Sequence, residues 1–186
     1  MAYNNDMKKA YGFTVVELAV VIAVIGILSA VTLVSYRSIQ IQARDNAIKT
    51  AVAQAADALK LRASQKNERV NVPGTGDGSI AGNTTAGTGQ GWFQSGTYAN
   101  PIEDRLISEG FLPPDFSKEL KSSTVSNNGR ILMFYLCENG RSAVYASLNE
   151  NSGKNDAIAT AQRYNCYPTN PSTPFNSYNM NYIRVF

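Results

Sequence analysis

The pattern of apolar and polar positions divides the chain into unlike parts. Residues Phe13 to Val34 form an apolar run of 22 whose only charged residue is Glu17. At about 1.5 Å per residue a helix of that length crosses a hydrocarbon core of ~30 Å, so the pattern predicts a membrane helix over 13–36. A secretory signal peptide would have a shorter apolar core and a small-residue cleavage site, to which Leu28-Ser29-Ala30 is a poor match. Beyond it, Ile41, Ile48, Val52, Ala55 and Leu59 recur at helical spacing. They predict an amphipathic continuation over 37–69 with one apolar stripe to bury. No proline falls between Phe13 and Lys66, so the whole stretch reads as one helix of roughly 80 Å.

The pattern then loses its helical period. Residues 70–100 hold eight glycines and read as an extended loop. Within it, Gly74-Thr75-Gly76-Asp77-Gly78 lacks the Lys-Ser/Thr ending of a phosphate loop and follows a helix instead of a strand, which argues against nucleotide binding. Asn83-Thr84-Thr85 fits a glycosylation acceptor by pattern alone. Ile102 to Glu109 reads as a short helix stopped by Gly110, Pro113 and Pro114. Its Glu103, Asp104 and Glu109 are expected on a solvated face, because no base or nucleophile accompanies them. Arg130 to Cys137 is a central strand, Asn139-Gly140 a two-residue hairpin turn, and Ser142 to Leu148 the returning strand. A Pro- and Asn-rich loop follows. Tyr178, Met180 and Tyr182 alternate with asparagines and begin a further strand with one buried face. The predicted fold class is α+β, with a long amino-terminal helix against a small antiparallel sheet of three or four strands in a head spanning 70–186.

Composition narrows the chemistry. There is no histidine among the 186 residues, which removes the commonest general base and metal ligand. No catalytic constellation, metal site or cofactor is expected, and the chain reads as no enzyme. Lys8 and Lys9 before the apolar run keep that end in the cytoplasm, although Arg37 and Arg44 beyond it reduce the asymmetry.

Glu17 is the position that asks for a partner. A charged group inside a membrane helix costs about 2.5 to 3.5 kcal/mol, and the span contains no cation. If the chain is cut after Gly12, Phe13 gains a free amine four residues from Glu17 on the same helix face. Together, the basic leader, Gly12, Phe13, Glu17 and the uninterrupted span resemble the class III signal of type IV pilins and pseudopilins. The resemblance covers about 30 residues and implies a leader of 1–12, cut by a prepilin peptidase between Gly12 and Phe13. It further implies methylation of Phe13 and a guiding role for Glu17, with Phe13, in polymer assembly. Where many members carry a helix-breaking proline, this chain has Val34. Gly26 is then the weak point of the span, about 1 kcal/mol worse than alanine, and the expected place for helix melting.

Cys137 and Cys166 are the only cysteines, and both lie beyond the span. A disulfide is the natural reading in an oxidising compartment, contributing about 3 to 4 kcal/mol on the chain-entropy model. Two buried free thiols are the alternative. Members of the resembling family often staple the carboxy-terminal region in this way. Residues 37–69 carry seven basic and three acidic groups, against eight and nine from residue 70 onward. Positive charge thus sits where lipid headgroups or neighbouring subunits would meet it, and the head charge gives no indication of nucleic acid as a partner.

The resemblance implies a homopolymer with other pilin subunits, built by a pilus assembly machinery in the membrane. The precursor would sit in the inner membrane and the product at the cell surface, as a fibre for adhesion, twitching motility or DNA uptake. The alternatives are a pseudopilin of a type II secretion system and a monomeric membrane-anchored binding protein.

Overall fold

A computed structural model describes residues 12–67, 70, 91–93, 102–118, 120, 131–150, 153–166, 175–176 and 178–186. The leader ahead of Gly12, most of the Gly-rich loop with Asn83, and part of the Pro- and Asn-rich loop lie outside the described residues. The chain forms two compact units, Met1–Gln40 and Ile41–Phe186.

Helix α1 runs from Val15 to Lys66, 52 residues, or about 78 Å at 1.5 Å per residue. It begins two residues after Phe13, because Thr14 serves as its cap. It ends where expected, at Asn67, whose φ of 51° places it in the left-handed region used at helix ends.

In the second unit, the stripe on α1 is buried as the periodicity requires. Ile48, Val52, Ala55 and Leu59 are fully covered, in one core with Leu132, Phe134, Leu136, Val144 and Ala146. Ile41 departs from the expectation at 40% exposed. Its apolar character places it on the stripe, but burial starts only at Asp45.

The sheet is antiparallel in the order β1-β2-β3-β4, built from Gly91–Trp92, Leu132–Leu136, Ser142–Ala146 and Tyr182–Val185. Phe134 pairs with Val144, and Val144 with Arg184. The two central strands are buried at every position, which explains their continuous apolar run. The second face carries Met133, Tyr135, Ala143 and Tyr145, covered by Ala157 and Ala161 of α3, Lys154–Tyr164. A helix at this place departs from the expected loop. Few apolar residues announce it: Ala157 and Ala161 suffice for its buried contact, Asp156 and Arg163 sit at the matching ends of the dipole, and Asn165 closes it in the left-handed region.

Other boundaries shift for local reasons. Strand β1 lies inside the stretch read as loop and is only two residues long. The hairpin turn has both Asn139 (φ 57°) and Gly140 (φ 74°) at positive φ, as a type I′ turn demands. Arg141 N–H donates to Glu138 O at 3.3 Å, while Arg141 O accepts from Cys137 N–H at 2.9 Å. Two residues therefore face one, and the turn is a residue longer than the sequence suggests. Strand β4 starts at Tyr182 instead of Tyr178, since Asn179 has a φ of 50°. Asn181 is not on a wet face: it is 1% exposed. Its side chain accepts from Leu148 N–H at 2.7 Å and donates to Leu148 O and Glu150 O at 3.0 Å.

The short helix α2, Ile102–Ser108, ends before Gly110 at φ 81°. Asp104 is exposed, but Glu103 is buried and Glu109 half-buried, so the solvated-face expectation fails for two of the three acids. Glu109 accepts from Arg62 Nε at 2.6 Å and Nη2 at 3.2 Å, and from Arg105 Nε at 3.3 Å, with Lys66 Nζ 3.4 Å away. Arg62, only 2% exposed on α1, is a buried cation that needs this carboxylate.

Cys137 and Cys166 form a disulfide that ties the end of β2 to the residues after α3. Nearby, Tyr145 OH donates to Cys166 O and Asn165 Nδ2 to Glu138 Oε1.

Candidate processing and assembly site

The amino-terminal unit presents its apolar residues outward. Phe13 is 89% exposed, and the described Val, Leu and Ile side chains of the run are each 49% exposed or more. α1 contains an 18-residue window of mean hydropathy 2.7, none of it buried, and is long and apolar enough to cross a membrane. Its few hydroxyls are turned back onto the helix. Ser29, Thr32 and Ser35 donate to Ile25 O, Leu28 O and Val31 O at 2.7, 2.7 and 3.2 Å. Such bonds remove the need for water, so these polar residues do not interrupt an apolar surface.

Thr14 and Glu17 form a reciprocal cap. Glu17 Oε2 accepts from Thr14 N–H and from its hydroxyl, both at 2.8 Å, while Glu17 N–H donates to Thr14 Oγ1 at 3.2 Å. This is the pairing encoded by Thr-x-x-Glu at a helix start. The reading of the sequence missed it, although the spacing was there. The cap holds the carboxylate on the Thr14 amide at the start of the helix. Both bonds fall on Oε2, and among the described residues Oε1 has no donor. One oxygen thus starts the helix and the other remains for a donor outside it. Gly12 lies ahead of the cap, outside any helix or strand, and is exposed. Gly26 is enclosed in α1, with open space where a Cβ would stand.

A family model, the prokaryotic N-terminal methylation motif, matches residues 7–33. The amino terminus is a class III signal. The match supports a type IV pilin or pseudopilin, a structural type, and the long helix with its small antiparallel sheet is a pilin-like fold. A signal of this kind implies processing by a prepilin peptidase and assembly into pilus-like polymers from a membrane-anchored precursor. No curated protein and no solved structure matches the chain.

Proposed function

We propose that this chain is a structural subunit of a type IV pilus, cut between Gly12 and Phe13 and methylated on Phe13. It polymerises through its amino-terminal helix into a surface fibre used for adhesion, twitching motility or DNA uptake. The observation that carries the reading is the pairing of Glu17 with the helix start in an otherwise apolar, exposed helix surface. A lone carboxylate there is costly in lipid. In a polymer, the free Oε1 meets the Phe13 amine of a neighbouring subunit, which offsets that cost and sets the register. Absence of a proline at Val34 favours a second reading, a pseudopilin whose polymer stays short inside the envelope.

Intact mass and amino-terminal sequencing of membrane and sheared surface fractions separate these readings. A chain starting at methylated Phe13 in sheared material is the expected result. The same processed chain confined to the envelope would favour the pseudopilin, and a chain still starting at Met1 would sink both. Glu17→Val is expected to remove most of the fibre from the sheared fraction; an unchanged yield would overturn the role of the carboxylate.

A further inference from the structure

The apolar stripe of α1 begins before the head covers it. Ile41 is 40% exposed although Ile48, further along the same face, is fully buried. Arg44, three residues on and on that face, is exposed and makes no ion pair among the described residues. An apolar side chain beside an unmatched guanidinium is a small amphipathic patch in want of a matching surface.

A cleft of about 240 Å³ in the same unit has the complementary character. It lies between α1, the start of α3 and the start of β4. Asp45, 3% exposed, forms its floor. That carboxylate is held by Asn149 N–H at 2.8 Å, Asn149 Nδ2 at 2.7 Å and Glu150 N–H at 3.0 Å, so it shapes the cleft without reaching out of it. Glu150 and Asp156 stand exposed at the rim, and Ala157 and Ile183 supply an apolar wall. Among the described residues the lining contains one cation, Lys49, whose ammonium lies over the Tyr182 ring, 5.9 Å from its centre. Three carboxylates against one ammonium leave the cleft an acceptor for positive charge.

We infer that this cleft receives Ile41 and Arg44 of a second copy of the chain. The guanidinium meets Glu150 and Asp156, and Ile41 meets the wall of Ala157 and Ile183. Both charge and apolar surface match, which an anionic lipid headgroup would satisfy only for Arg44. Patch and cleft follow one another along α1 from Ile41 to Lys49, so each copy carries both and the contact can repeat from copy to copy. The inference rests on the polymer reading above.

Charge exchange in the full-length chain tests it, with fibre measured in the sheared fraction. Arg44→Glu and Asp156→Arg are each expected to lower the fibre about fivefold or more, and the double exchange to restore it. Cysteines placed at Arg44 and Asp156 should link subunits of the sheared fibre into ladders on oxidation. If the unmodified chain yields no fibre, the polymer reading fails and this contact with it. If it yields fibre but single reversals leave the amount unchanged, or the cysteine pair forms no ladder, the contact is wrong and the polymer reading stands. Loss by Arg44→Glu that Asp156→Arg does not rescue would assign Arg44 to lipid headgroups instead, and also overturns the contact.

Discussion

Glu109 collects three cations on one carboxylate. Hydrogen bonds from Arg62, opposed by burial and helped by Arg105 and Lys66, hold its carboxyl at about 2 against an ordinary 4.5. A carboxyl lowered on folding contributes stability above its ordinary value and loses it as pH falls toward the folded one. Glu109→Gln should therefore cost about 3 kcal/mol near neutrality, because it removes the carboxylate held 2.6 Å from the buried Arg62. The deficit relative to the unmodified chain should shrink between about pH 4.5 and 2. Urea midpoints of the head taken across that range check this, and a deficit independent of pH would show that charge is not the cause. Single residues were unequally legible beforehand. Glu17 was conspicuous because it breaks an apolar run. Arg62, Asp45 and Asn181 were not, since each is a polar residue in a polar-looking stretch whose burial depends on partners 31 to 105 positions away.

Helix α1 was the most legible element, because its period, its lack of proline and its Asn67 ending all act locally. Strands β2 and β3 followed for the same reason: branched and aromatic residues on both sides of a turn that needs positive φ. Helix α3 was hidden, as a helix that buries only two alanines leaves little periodic signal. Strand β1 was hidden too, since two residues are held by pairing with Phe134 and Met133 and not by their own composition. Within α1, Gly26 has no side chain contact to lose and a weak helical preference. We propose it as the point where the helix opens when subunits pack in a fibre. A fibre map should show lost helical density around residue 26, and continuous helix there would refute the idea.

At the scale of the whole molecule, covalent and packed layers of the head act together. The central strands have α1 on one face and α3 on the other, and the disulfide anchors the end of α3 to that sheet. Replacing Cys137 and Cys166 together by serine should lower head stability by about 3 to 4 kcal/mol, because the bond closes a loop 29 positions long. Denaturant unfolding of the double variant measures it, and a change below ~1 kcal/mol would mean that packing alone holds this end. The α+β class and the signal could be read from local pattern. Which polar side chains join the core could not, because sequence shows preference and not proximity.

The same bond changes what a protease can do. A cut anywhere between Cys137 and Cys166 divides the polypeptide but not the molecule. The released end would still carry β4, with Tyr182 and Phe186 beneath Lys49 and Lys60 of α1. In an oxidising compartment a nicked chain would therefore keep its last strand in place.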